Sequence, residues 1–278
     1  KQFLARELFS AYRKAPNNDA MANALSVLEA HAAYDGKRYT LHNRIARVGD
    51  SIWLDMADEK GRAIEITASG WRIAPIPPIL FRHYAHQQPL PVPESGGSLK
   101  LLNQFRNLKD KDDFSLVCAW LVGAFFADVP RPLLLLTGSQ GSAKTTMARM
   151  LRSLIDPSSI FSVDFGRNEG ELIRAADHHG LPIFDNLSRI PGWASDMLCR
   201  VVTGAAFETR LLYTDDESLL IHCMRAVIAT GINVPGTAPD LLDRTWHIEL
   251  LRVPGNARKT ENDLWAEFEK SRPKIIGA

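Results

Sequence analysis

LLLLTGSQGSAKTTMARML, residues 133–151, is the stretch on which the fold turns. Leu133 to Leu136, four apolar residues bounded by Pro132 and Gly138, predict a short buried strand. Gly138 and Gly141 free the backbone so that successive N–H groups can turn inward around an anion. Ser139, Gln140 and Ser142 complete that turn, and Lys144 has the length to reach the terminal phosphates of a nucleotide. The Thr145 hydroxyl suits Mg²⁺, with Thr146 following it into a helix. Met147, Leu151 and Leu154 give that helix an apolar stripe, and its N-terminal dipole favours negative charge. The strict pattern G-x-x-x-x-G-K-[ST] asks for glycine where Ala143 stands. A methyl group there is expected to be tolerated in the right-handed helical region. Gly138 to Thr146 therefore form a candidate ATP- and Mg²⁺-binding loop. The bland alternative is a Gly/Ser turn that happens to precede an amphipathic helix.

A second apolar strand, LPIF at residues 181–184, ends in Asp185, which could hold Mg²⁺ through a water at the strand's carboxyl end. Its structural alternative is a cap for the next helix. Asn186 follows, able to orient a water but not to accept its proton, which leaves the general base unassigned. AVIATGIN, residues 226–233, is another buried strand ending in polar groups. Thr230 or Asn233 could touch the γ-phosphate or position water, or serve as turn residues. In PDLLDRTWHIEL, Arg244 closes a short helix just before a strand. It could point to a neighbouring subunit's phosphates or form a surface ion pair with Asp240 or Asp243.

The chain has 278 residues, 45% hydrophobic and 23% charged, enough for two ordinary cores. A net charge of +1 carries no bulk signature of nucleic-acid binding, so any DNA contact must come from local patches. Three cysteines with no C-x-x-C spacing fit core positions and a cytoplasmic setting. The longest apolar run, residues 116–127, is too short to span a bilayer and is expected to form a buried helix. No signal peptide is visible. A start inside a helical pattern and an end at RPKIIGA suggest a fragment of a longer protein.

QQPLPVPESGGS, residues 87–98, reads as a linker, dividing a small α+β domain over 1–95 from a second domain over 96–278. Upstream, helical patterns at 3–14 and 19–33 precede alternating segments that predict a β-meander. Trp53, Trp71 and Phe81 could stack on bases, but aromatic residues in half-buried strands are more often core. Downstream, helices at 99–107 and 112–126 lead into the 133–136 strand. A strand near 160–164 and a helix over 169–178 follow, and strands then alternate with helices as in a largely parallel α/β sheet. His178-His179 lack a third ligand at metal spacing and are read as imidazolium-favouring residues at a helix C-terminus.

With these motifs in place, residues from about 98 to 262 resemble the AAA+ ATPase domain of superfamily 3 helicases, especially primase-helicases of phages and mobile elements. VVTGAAFETRLLYTDDESLLIHCMRAVIATGIN resembles their threonine-glycine turn, arginine, tyrosine, hairpin and sensor strand. GSQGSAKT is similar to the loop of minichromosome-maintenance helicases, which also place alanine before the lysine. The resemblance implies a P-loop NTPase (AAA+) parallel sheet with flanking helices, assembled as a hexameric ring acting on DNA. It further implies that Lys144 and Thr145 bind phosphate and Mg²⁺, Asp185 supports Mg²⁺, Thr230 lies near the sensor position and Arg244 is an arginine finger. Relatives project a basic or aromatic hairpin residue into the channel, whereas residues 214–217 here read Thr-Asp-Asp-Glu. Arg210, Tyr213, His222 or Arg225 would do the gripping instead. The expectation is an ATP-dependent DNA helicase or translocase working on single-stranded DNA, with a primase or replication initiator as a possible partner. The alternative is an AAA+ assembly module or loader with weak or no helicase activity.

Overall fold

The computed structural model describes all residues except 106, 110, 211–217, 233–237 and 256–257, together with the side chains of 209, 210, 218 and 219. The chain divides into two compact units, residues 1–40 and 41–278. In the first, α1 (Gln2–Tyr12) is followed by α2 (Asn18–Ala30), and Asn17 caps α2 by accepting a hydrogen bond from the Ala20 N–H at 2.7 Å. A single wider turn, His31–Asp35, continues α2. Neither helix buries a residue, which leaves Phe3, Phe9, Tyr12, Val27 and Leu28 exposed.

The second unit begins with β1 (Leu41–His42) and an antiparallel meander of β2 (Ile45–Val48), β3 (Ser51–Asp55), β4 (Ala63–Thr67) and β5 (Gly70–Ala74). β6 (Leu80–Phe81) pairs with β1. The alternation seen in the sequence divides the meander's two faces. Ile52, Leu54 and Ile64 point into the same core as Leu134, Leu136, Leu151 and Leu154, while Trp53 packs with Ala46, Ala63 and Ala74 on the other side. The meander and the downstream half thus share one core. A division at residue 95/96 is therefore corrected to one at 40/41. The Pro/Gly-rich stretch is not a free linker: the Gln88 N–H donates to Pro157 O and the Glu94 N–H to Pro273 O, and Leu90 is buried.

A 3₁₀ segment, Leu99–Phe105, and α3 (Lys111–Gly123) lead to β7 (Leu133–Thr137), whose five residues are all buried. Then come α4 (Lys144–Ser153), α5 (Glu169–His178), β8 (Ile183–Leu187) and α6 (Gly192–Thr203). The hairpin strands β9 (Ala205–Arg210) and β10 (Ser218–Cys223) follow, and then β11 (Ile228–Gly231), α7 (Pro239–Leu242), β12 (Thr245–Glu249) and α8 (Glu261–Ile276). Four strands form a parallel sheet in the order β12-β7-β11-β8. It is covered on both faces. Leu134 and Leu136 meet α4, and Leu133 and Leu135 meet residues of α5 and α6. The strand expected near 160–164 does not form; that segment only touches the sheet edge through Val163 N–H to Ile183 O at 2.8 Å. The helix expected over 112–126 ends at Gly123, so the apolar run 116–127 is not one buried helix, and its Leu116 and Val122 are exposed.

A buried ionic network ties the meander to the parallel sheet. Arg44 and Asp156, both fully buried, pair at 2.9 Å, and Arg44 also donates to the carbonyls of Asp55, Gln88 and Pro157. Asp156 accepts from Arg152 at the end of α4 and from the Leu181 N–H just before β8. Burial pushes the Asp156 carboxyl up, but Arg44 and Arg152 more than offset it and hold it below its ordinary value. Removing one partner would leave a buried charge uncompensated.

Candidate functional site

β7 delivers the Gly/Ser loop to the carboxyl end of the sheet, where the chain next crosses to β8 on one side and later to β12 on the other. That switch point is where open α/β sheets form crevices. Two glycines are required sterically. Gly138 has φ 147°, and a Cβ there would lie 2.4 Å from Leu250 O. Gly141 is required by its φ of 80°, and the flexible end of Arg258 lies over it, with Nη2 2.9 Å from where a Cβ would stand. Ala143 corrects the expectation of a right-handed conformation: it adopts φ 56°, ψ 30°, the left-handed region, immediately before α4. This is the physical reason the strict pattern prefers glycine at that position. Ser142 is buried, its hydroxyl without a partner among the described residues, and Asn107 braces its carbonyl from outside while also bonding Leu251 O.

Lys144 Nζ donates to Gly138 O at 2.8 Å and Ser139 O at 3.1 Å. Among the described residues no carboxylate lies within ion-pair distance of it, so an incoming anion would compete only with loop carbonyls. Burial lowers the Lys144 pKa, opposed by Asp185. The Thr145 hydroxyl donates to Asp185 at 2.9 Å, and the Thr230 hydroxyl, fully buried on β11, donates to the same carboxylate at 2.6 Å. Thr230 in turn accepts the Asn186 N–H at 2.9 Å. Asn186 is left-handed, with φ 56°, a conformation asparagine tolerates better than most residues. Residues from β8, α4 and β11, far apart in sequence, thus converge on one carboxylate.

A cavity of about 390 Å³ opens over Gln140 to Thr145, Asn186 and Thr230. Through Gly141 and Ala143 it adjoins a larger one of about 670 Å³, lined by Phe105, Leu108, Met147, Val253 and Leu264 among others. The donor set fits a hard divalent cation with a polyphosphate: one carboxylate, an adjacent hydroxyl, a lysine held only by loop carbonyls among the described residues, and glycines where the backbone must approach. Asp185 and Thr145 would hold the cation, and Gly138 to Thr146 with Lys144 the phosphates.

The other expected residues fall elsewhere. Arg244 stands at the amino end of β12, where its carbonyl accepts from the Leu133 N–H at 2.8 Å. The loop leaves the opposite end of β7, roughly 15 Å away at about 3.3 Å per residue. Arg244 pairs with Asp240, the ion pair named as its surface alternative, and holds that carboxyl below the usual range. Arg225 does not face solvent as a grip for DNA. It donates to the carbonyls of Ala176 and His179 and lies 3.7 Å from Asp177, clamping the end of α5. His222 is exposed on β10. Asn233 and Tyr213, the 214–217 tip and the Arg210 side chain lie outside the described residues. His179 reverses the imidazolium expectation: burial, then Arg152, pushes its pKa down to about 3, and its Nδ1 accepts from Arg152 Nη2 at 2.8 Å. Among the described residues no three His, Cys, Asp or Glu side chains gather as a metal site. Nothing local in the sequence marks Asn107 or Arg258, which touch the loop from other segments.

Residues 99–278 match the protein family described as actinomycete integrative conjugative element replication protein. A comparison with curated proteins found no match. Among solved structures, an apo form of the NrS-1 C-terminal region aligns with a TM-score of 0.52 and 12% identity, covering 99% of this chain and 59% of that one. A second A form apo structure of the same region gives 0.53 and 13% over the same shares. The chain therefore spans about three fifths of the region it matches, and at such identity the likeness concerns the fold. A JCV helicase structure aligns over 64% of this chain and 52% of its own, at 14% identity and a TM-score of 0.41. No helix among the described residues is long and apolar enough to cross a membrane.

Proposed function

Because the chain belongs to the actinomycete integrative conjugative element replication protein family, we propose that it is an ATP-driven motor acting on DNA during replication of such an element. The observation that carries this reading is the convergence of Thr145 and Thr230 on Asp185 beside a glycine loop whose Lys144 is held by loop carbonyls and, among the described residues, by no carboxylate. In this reading Gly138 to Thr146 wrap the phosphates of ATP, and Lys144 leaves its loop carbonyls to meet them. Asp185 and Thr145 hold Mg²⁺, which when bound neutralises charge on the phosphate oxygens. Thr230 fixes the Asp185 carboxylate and the Asn186 backbone, so that the Asn186 amide is aimed at the attacking water. Catalysis by positioning and charge stabilisation suits such a site, since phosphoryl transfer asks little covalent chemistry of the protein. Arg244, too distant from its own loop, is assigned to the γ-phosphate bound by an adjacent subunit of a homo-oligomeric ring. The β9–β10 hairpin is assigned to single-stranded DNA.

Asn186 supports a second reading. No carboxylate follows Asp185 to accept the water's proton, which suits an assembly module or loader that hydrolyses slowly. ATP affinity and turnover, measured with and without single-stranded DNA, separate the two. The motor predicts turnover stimulated by DNA, the module tight binding with slow, unstimulated turnover. Lys144→Ala is expected to abolish detectable ATP binding while leaving the melting temperature unchanged, because the ammonium supports only two loop carbonyls. Unchanged ATP affinity in that variant would end the nucleotide reading.

A further inference from the structure

We propose that Arg258 is a second phosphate-contacting cation of this site, bound to the phosphates nearer the nucleoside rather than to the terminal one. The proposal rests on the nucleotide reading above and adds a residue to it. After β12 the chain does not leave the loop but straps across it. The Leu250 N–H donates to Thr137 O at 2.7 Å, Leu250 O fills the space beside Gly138, and the Val253 N–H reaches Gly141 O at 3.4 Å. Five residues on, the Arg258 guanidinium hangs over Gly141, with Nη2 2.9 Å from where a Cβ would stand. Its Nε donates to Val253 O at 3.3 Å, and among the described residues no carboxylate lies within ion-pair distance of it. Its neighbours Lys259 and Glu261, by contrast, are both paired, with Glu267 and Arg149.

Position decides which phosphates it serves. Asp185, Thr145 and Thr230 mark the cation end of the smaller cavity. Arg258 lines the larger, more apolar cavity and stands where the two meet at Gly141. A polyphosphate running from the cation end toward the larger cavity passes beneath the guanidinium with its inner phosphates. A planar fork of N–H donors suits two non-bridging oxygens there better than a point charge does. Gly141 turns the loop through its positive φ, and its missing side chain leaves the guanidinium room to lie over it.

The test is equilibrium binding of ATP and of ADP to the whole chain, with Mg²⁺, for the wild type, Arg258→Ala and Arg258→Lys. Loss of a charge-assisted contact is expected to weaken both nucleotides alike, by about 10- to 100-fold. Arg258→Lys should recover part of that loss, and the exposed side chain should leave the nucleotide-free melting temperature unchanged in both variants. Wild-type affinity in Arg258→Ala overturns the proposal. So does a loss confined to ATP, which would put the guanidinium on the terminal phosphate. If the wild type itself binds neither nucleotide, the nucleotide reading fails and Arg258 falls with it, an outcome visible before any variant is made.

Discussion

Ala143 and Asn186 both hold left-handed backbone at the site, one entering α4 and the other within β8. For alanine that conformation costs about 1–2 kcal/mol, which glycine would not incur. Part of the gain on substitution is offset by the freer unfolded chain. Ala143→Gly is therefore expected to stabilise the protein by about 0.5–1 kcal/mol, raising Tm by about 2 °C in a chain of this size. ATP affinity should hold, since only a methyl group is removed and the backbone groups of the loop stay in place. A lower Tm by differential scanning calorimetry would contradict the left-handed assignment. The order glycine, lysine, threonine was legible in the sequence because each residue type carries its own chemistry. The sign of φ at Ala143 was not, because it depends on how the strap and Asn107 hold the loop.

Among elements, α4 links two environments: it starts at the loop with Lys144 and ends at Arg152, against His179 and Asp156. This buried end gives the fold a pH dependence of definite sign. His179 is held neutral, its pKa depressed from 6.5 to about 3 by burial and then by Arg152. Well above pH 6.5 neither the folded nor the unfolded imidazole carries a proton, and the group has no effect. Between pH 6.5 and about 3 the unfolded chain takes up a proton that the folded chain refuses. Stability should then fall by up to about 1.4 kcal/mol per pH unit from this ring alone. Urea titrations between pH 7.5 and 5 should show that decline, and His179→Gln, which still offers Arg152 an acceptor, should flatten it. An equal slope in the variant would place the titration elsewhere. The strands and helices themselves were largely readable from periodicity. The segment at 160–164 was not, because an apolar run at a sheet edge pairs only as far as its neighbour allows.

At the scale of the whole molecule, the separation of Arg244 from its own loop is the fact with most consequence. A residue at the amino end of β12 cannot reach phosphates at the carboxyl end of β7, so any catalytic role for it requires a second chain. Arginine fingers contribute ~10³-fold or more to turnover. Arg244→Ala is accordingly expected to bind ATP nearly normally and hydrolyse it poorly, whereas Lys144→Ala lacks nucleotide but keeps its finger. Mixed together, the two variants should regain part of the ATPase activity, rising with protein concentration as mixed oligomers form. The exposed Asp240 pair is a weak competitor for the guanidinium. If Arg244 serves only that pair, Arg244→Ala alone retains most of its turnover. If both variants stay inactive together although native mass spectrometry shows mixed oligomers, the shared site is excluded.

Local chemistry was decided in the sequence: the apolar runs that become β7, β8 and β11, the glycines and lysine between β7 and α4, and the aspartate that ends LPIF. Each follows from side-chain type and spacing within a few residues, where backbone preference and hydrophobic period suffice. Only the tertiary structure decided how these pieces meet. Thr230 reaches Asp185 across 45 positions, Arg44 reaches Asp156 across 112, and the strap after β12 brings Arg258 over Gly141. It also placed the meander in the same core as the parallel sheet, so that a proline-rich stretch with every mark of a linker lies packed against Pro157 and Pro273. Such contacts depend on which buried faces find one another, and no local pattern encodes that choice.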